Sequence, residues 1–268
     1  MHRVDTTEFE SSGFQIFDNI IPESTLASIR SFLMTEVGSA LNSVMAEIGC
    51  PPGGDIISYA QQARQDHGWL QALSKNSRDT LSGHFPLPVR LSELLWEIPL
   101  GAKFQDLLQT LLGSQDVNMH MPPTARFVLP GNAHAAVPAH QDISYNKHMT
   151  DFITLWVPLV EVDDVCGGVT VYEGSGKLSE ITVGQSSDEF WKGALSTSGY
   201  EPKLCSMPTG SVLALNKWII HGSAPNRSND IRVSIDYRFF CSKDRSSKHY
   251  LNLSRRCVVD PATGANHG

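Results

Sequence analysis

Between residues 117 and 241 the chain is cut by Pro, Gly, Asn and Asp into short apolar or alternating segments, and this rhythm restricts the fold more than any other feature. The segments fall at 117–121, 125–129, 137–143, 152–159, 168–172, 203–207, 211–216 and 231–241. Eight short strands in succession predict a double-stranded β-helix, the jelly-roll or cupin-like architecture.

The first 116 residues follow a helical period instead. A short opening strand at 13–17 leads to a helix that starts at Pro22-Glu23-Ser24, carries Leu26, Ile29, Phe32 and Leu33 on one side, and is expected to end at Gly38. Weaker helices are expected at 39–48 and 60–80, separated by the breaker Pro51-Pro52-Gly53-Gly54. Apolar stripes at 92–97 and 104–112 follow, with Leu107, Leu108, Leu111 and Leu112 assigned to the core. The whole reads as one domain over 1–268, mainly β with flanking helices: a helical part at 1–116, a jelly-roll core at 117–241 and a tail at 242–268, frayed after Asp260. In the long connection at 173–202, Ser186 and Glu189 have capping-box spacing ahead of Phe190 and Trp191, which suits either a lid or a packed surface helix.

A chain of 268 residues with 41% hydrophobic content can bury a substantial core. Its net charge of −7, with no Lys/Arg run, argues against nucleic acid or an anionic membrane as partner. No apolar run reaches signal-peptide or membrane-spanning length, so a cytoplasmic protein acting on small molecules is expected. Oligomeric state leaves no mark in the sequence. Cys50, Cys166, Cys205, Cys241 and Cys257 form no C-x-x-C pair and read as reduced and structural.

The chemistry centres on Pro138-Ala139-His140-Gln141-Asp142. If this segment is a strand, His140 and Asp142 point the same way and can hold adjacent positions on a divalent metal. His221 is the best third ligand, which would complete a facial site of two histidines and one carboxylate. His-x-Asp alone is a weak signal, but Arg232 lies eleven residues beyond His221, after the turn-rich loop from Gly222 to Asp230. A loop joining antiparallel neighbours would bring His221 and Arg232 together across the ladder. On the returning strand Ile231, Val233, Ile235, Tyr237 and Phe239 form one face, and Arg232, Ser234, Asp236 and Arg238 the other. In a small barrel the polar face looks inward, where an arginine must find an anion. A dicarboxylic cosubstrate chelated to the metal at one end would offer one, and the planar guanidinium fork binds it in bidentate fashion.

Together with Trp156, Gly167-Gly168, Gly174-Ser175 and Gly210, the run from His221-Gly222-Ser223 to Arg232 resembles the phytanoyl-CoA dioxygenase (PhyH) family of Fe(II)/2-oxoglutarate oxygenases, strongly over 117–241 and loosely before it. The resemblance implies iron on His140, Asp142 and His221, the distal carboxylate of 2-oxoglutarate on Arg232 and Ser223, O2 as second cosubstrate, and Trp156 lining the cosubstrate pocket. On its strand Trp156 falls with Phe152 and Thr154, opposite Ile153, Leu155, Val157 and Leu159. Two departures stand out: Glu173-Gly174-Ser175-Gly176 replaces a frequent Pro-Gly-Ser-His, and Phe127 and Leu129 are apolar where relatives place polar contacts. His120, His134, His148 and His249 match no family role.

The implied activity is hydroxylation of a C–H bond in a small molecule with release of succinate and CO2. The retained carboxylate of Asp142 disfavours halogenation and leaves desaturation or ring closure open beside hydroxylation. Two rivals are a cupin-like metal-dependent hydrolase or isomerase, which has no use for Arg232 and Ser223 beside the metal, and a non-catalytic β-barrel binding protein. Arg126, Lys147, Lys217, Arg227 and Arg238 are candidates for the cavity mouth, where they would suit an anionic or carrier-linked substrate, although most such charges are ordinary solvated ones.

Overall fold

The computed structural model describes residues 4–49, 72–181 and 194–267. Twelve strands are present among them: β1 (Phe14–Phe17), β2 (Val117–His120), β3 (Thr124–Val128), β4 (Ile153–Pro158), β5 (Val169–Glu173), β6 (Glu201–Leu204), β7 (Val212–Asn216), β8 (His221–Ser223), β9 (Arg232–Cys241), β10 (Tyr250–Asn252), β11 (Cys257–Val259) and β12 (Asn266–His267). The large sheet runs β1-β7-β4-β9-β2-β10-β11-β12, with β3 also paired to β9, and the small sheet runs β6-β5-β8. All named pairs are antiparallel. The fold is an antiparallel β core with flanking helices, as the strand rhythm predicts.

Strand alternation sets the layers. Leu155, Val157, Val233, Ile235, Tyr237 and Phe239 turn one face of the large sheet to the helices, where Leu26, Ile29, Leu33, Leu107 and Leu108 meet them. The opposite face meets the small sheet through Trp156, Leu213 and Leu215 against Val169 and Val171. Each fully buried aliphatic or aromatic side chain contributes about 1.5–3 kcal/mol, so both faces of the large sheet are fixed.

Several expectations need correction. Helix Glu23–Ile48 runs straight through Gly38, joining what reads as two helices. Gly38 is exposed, and its helix cost of about 1 kcal/mol is outweighed by burial of Leu33, Val37, Ala40 and Val44. Leu111 and Leu112 are only partly buried at the end of helix Ala102–Leu112. The expected strand at 137–143 does not form: Pro138 lacks a donor, residue 140 makes an isolated bridge to residue 221, and Asp142 opens a 3-10 turn, Asp142–Ser144. β6 stops at Leu204, with Met207 in a separate bridge to Val162. The tail does not fray at Asp260: β11 and β12 pair across a turn in which the Asp260 side chain accepts from Ala262 N–H and Thr263 Oγ1. Helix Lys75–Leu81 realises the end of the 60–80 expectation. Residues 60–71, the 51–54 breaker, Cys50 and the Ser186/Glu189 spacing lie outside the described residues. Among the described helices none is long and apolar enough to cross a membrane.

Gly167 adopts φ +69°, and a Cβ there would fall 2.4 Å from the Pro225 carbonyl oxygen. Gly167→Ala is expected to cost about 2 kcal/mol, through the left-handed backbone and the clash. A lowered urea midpoint with unchanged slope would show it.

Candidate metal centre

His140 and His221 are brought together by reciprocal backbone hydrogen bonds, His140 N–H to His221 O at 2.8 Å and His221 N–H to His140 O at 2.9 Å. Their rings lie 4.3 Å apart between centroids. Each ring is tied on the far side: Nδ1 of His140 lies 2.9 Å from Pro138 O, and Nδ1 of His221 lies 3.1 Å from Ile219 O. A carbonyl can only accept, so Nδ1 carries the proton and each Nε2 presents its lone pair. Burial, then the neighbouring His221, lowers the His140 pKa to about 3, which keeps that imidazole neutral.

Asp142 is 1% exposed and completes the set. One donor atom from each of the three residues lies within 4.8 Å of the others, with His140 Nε2 and Asp142 Oδ1 at 3.9 Å. Its carboxylate is oriented from two sides: the Thr154 hydroxyl donates to Oδ2, and Arg238 Nη2 donates to Oδ1 at 2.9 Å. Burial pushes the carboxyl up, but the Arg238 guanidinium, the strongest opposing influence, and the Thr154 hydroxyl help hold Asp142 below the usual aspartate range. Two imidazoles and one ionised carboxylate, each held by further hydrogen bonds, suit a divalent transition metal with open positions.

The shared direction of His140 and Asp142 has a different origin from the expected one. No strand carries them. The 3-10 turn rotates Asp142 inward, and Asn146 Nδ2 secures it by donating to the Asp142 carbonyl at 2.8 Å. Gln141 is fixed elsewhere, donating to Trp218 O at 2.8 Å and accepting from Ile181 N–H at 2.8 Å. The geometry joining His221 to Arg232 is also corrected. β8 belongs to the small sheet and β9 to the large one, so the loop crosses between sheets. The two residues line one cavity from opposite layers.

That cavity has a volume of about 220 Å³ and is lined by all six expected site residues, His140, Asp142, Trp156, His221, Ser223 and Arg232. Arg232 is 3% exposed. Its Nη1 donates to Ala224 O at 3.1 Å and more loosely to Cys166 O at 3.4 Å, and its Nε has no partner. Among the described residues no carboxylate lies within ion-pair distance of it. Burial lowers its pKa, a sign of how poorly solvated this cation is.

The basic residues divide cleanly. Lys147 pairs with Glu180, Lys217 with Asp151, and Arg227 bonds the Asp164 carbonyl, all away from the cavity. Arg126 and Arg238 form part of its wall. Arg126 donates through Nη2 to Ser82 O and Ala135 O, both at 2.8 Å. His120 and His148 bond each other at 3.3 Å, outside the cavity lining, and His134 is buried on the turn Ala133–Ala135. Thr154, to which sequence reasoning gave no role, and Arg238, expected at the cavity mouth, are the hydrogen-bond partners of Asp142. Ser175, in the loop that departs from the family pattern, donates to Tyr172 O at 2.6 Å and accepts from Ile220 N–H at 2.8 Å, anchoring the approach to His221.

The fold is cupin-like, and His140, Asp142 and His221 form a group that could hold a metal ion. Similarity to solved structures agrees on the fold: the epimerase SnoN in complex with Fe3+, alpha ketoglutarate and nogalamycin RO (14% identity, 90% of this chain and 84% of that one, TM-score 0.59); the non-heme monooxygenase ThoJ (14%, 93% and 83%, TM-score 0.61); and EvdO2 from Micromonospora carbonacea var. aurantiaca (16%, 92% and 91%, TM-score 0.60). The family model for Phytanoyl-CoA dioxygenase (PhyH) matches residues 9–234, and the chain belongs to that family. The family is one of non-haem enzymes that use Fe(II), 2-oxoglutarate and O2.

Arg238→Met is expected to lower divalent-metal affinity about ten- to a hundredfold, the usual range for losing a group that orients a ligand. Arg238→Lys should recover part of the loss. Anaerobic Co(II) titration followed by visible absorption is the measurement, and equal affinities in parent and Met variant would assign Arg238 no part in holding Asp142.

Proposed function

We propose that His140, Asp142 and His221 hold Fe(II), that 2-oxoglutarate lies between this centre and Arg232, and that the enzyme hydroxylates a C–H bond of a small molecule. The observation that carries the reading is Arg232 itself, a buried guanidinium with an unpartnered Nε, facing three metal-ligating groups across one small cavity. A buried cation of this kind demands an anion, and a carboxylate matches its planar fork. A hydrolase or isomerase using the same three ligands leaves that demand unmet.

The chain's own residues then have defined parts. The Nδ1 ties of His140 and His221 aim both Nε2 atoms at the metal, and Thr154 and Arg238 orient Asp142. Arg232 binds the distal carboxylate of the cosubstrate, with Ser223 and Ser234 beside it, and Trp156 walls the same space. Val128, Val137 and Val169 supply dry surface that keeps water from competing for these charges. When bound, iron with 2-oxoglutarate and O2 converts R–H to R–OH, one oxygen atom entering the product and the other the succinate formed with CO2. Asp142 retains the carboxylate that halogen transfer requires to be absent, which favours hydroxylation, or a desaturation or ring closure by the same oxidant, over halogenation.

Turnover tests the proposal. Fe(II)-loaded protein given 2-oxoglutarate and O2 with pooled small molecules should form succinate, and the substrate that accelerates it should gain the mass of one oxygen. Loss of two hydrogens would indicate ring closure or desaturation, and an unchanged mass an epimerisation. Arg232→Ala should weaken 2-oxoglutarate binding roughly ten- to a hundredfold and leave metal affinity near the parent value. Unchanged 2-oxoglutarate affinity would remove Arg232 from the site.

A further inference from the structure

Asp236 stands in the cavity wall on the inward face of β9, with Thr124 of β3 and Trp156 of β4 as its cross-strand neighbours. The guanidiniums of Arg238 and Arg126 attract its charge, but their hydrogen bonds go to other groups. Arg238 donates to Asp142 and to Thr124 Oγ1, and Arg126 donates to the Ser82 and Ala135 carbonyls. Among the described residues Asp236 accepts no hydrogen bond and has no ion-pair partner within 4.0 Å. Its carboxylate is open to the cavity, so a molecule bound there can donate a hydrogen bond to it.

The cosubstrates cannot. 2-Oxoglutarate is a dianion whose oxygens only accept, and O2 carries no N–H or O–H. Apart from water, the donor comes from the substrate, and the charge balance bears on its kind. The metal, Asp142, the 2-oxoglutarate dianion and Arg232 cancel one another. Arg126 and Arg238 then exceed Asp236 by one positive charge, which an ammonium would double and a neutral hydroxyl would leave unchanged.

We propose that Asp236 accepts a hydrogen bond from a hydroxyl of the substrate, rather than from an ammonium, and so selects which C–H bond faces the metal. This rests on the Fe(II)/2-oxoglutarate reading above. A cavity of about 220 Å³ lies below the usual range for drug-sized ligands, so it admits only the reacting part of a larger molecule beside the cosubstrate. The selecting hydroxyl consequently belongs close to the carbon that reacts.

The experiment uses the full chain loaded with Fe(II) and 2-oxoglutarate, and a panel of cyclic alcohols, each with its O-methyl ether and the corresponding amine. Succinate formation after admission of O2 is measured for the parent, Asp236→Asn and Asp236→Leu. In the parent, at least one alcohol should exceed both its ether and its amine by roughly tenfold, and in Asp236→Leu that advantage should fall within twofold. Removing the carboxylate also removes repulsion of the dianion, so Asp236→Asn should bind 2-oxoglutarate a few-fold more tightly, a gain that structural damage would not produce. A panel in which no parent alcohol exceeds its ether, an advantage that survives in Asp236→Leu, or weakened 2-oxoglutarate binding in Asp236→Asn would overturn the proposal. Failure of the parent itself to bind 2-oxoglutarate with Fe(II) would instead strike the underlying reading.

Discussion

The site depends on the locked register of β9. Val233, Ile235, Tyr237 and Phe239 are fully buried beneath the helices, and the Tyr237 hydroxyl donates to Leu95 O at 2.7 Å. A slip of one residue would drive Arg232, Asp236 and Arg238 into that core and expose four large apolar side chains to the cavity. Burial of those four, at about 1.5–3 kcal/mol each, is far larger than the cost of holding polar groups inward on the other face. Apolar packing on one side of the strand thus makes an interior lined by charge tenable on the other.

Within that interior, orientation rather than composition distinguishes a metal centre from a polar pocket. Each imidazole is held by its own backbone: the carbonyl two residues upstream receives Nδ1–H, at Pro138 for His140 and Ile219 for His221. The bridge between residues 140 and 221 joins these two local arrangements, one from each side of the small sheet's edge. Asp142 is placed from the large sheet, by Thr154 on β4 and Arg238 on β9. The three ligating groups therefore report on the relative position of the two sheets, and the packing of Trp156 against Val169 holds that position. Preorganisation of this kind reduces what metal binding must spend on ordering its ligands.

Strand periodicity made much of this legible. The alternation along 231–241 assigns every inward residue of β9 correctly, and the alternation of Thr154 and Trp156 against Leu155 and Val157 is read the same way. His221 and Arg232 could be singled out because residue type and spacing sufficed. The 137–143 segment was harder, because a 3-10 turn can aim Asp142 inward as well as a strand can. Arg238 could be placed on the inward face but not given its partner, since the bond to Asp142 spans 96 residues and no local pattern encodes it. The same limit applies to Asp236, whose role follows from what its neighbours already bond. The long helix through Gly38 and the hairpin closing the tail were missed for the opposite reason: tertiary burial and a side-chain-capped turn override local breaker signals.

The most direct test of the arrangement is a crystal structure of the full chain grown anaerobically with Fe(II) and 2-oxoglutarate, with iron located by anomalous scattering. Iron bound by Nε2 of His140, Nε2 of His221 and the Asp142 carboxylate, with the distal carboxylate of 2-oxoglutarate on the Arg232 guanidinium, is the predicted result. Iron held through Nδ1 or by other residues, or Arg232 left without a carboxylate while 2-oxoglutarate is bound elsewhere, would contradict it.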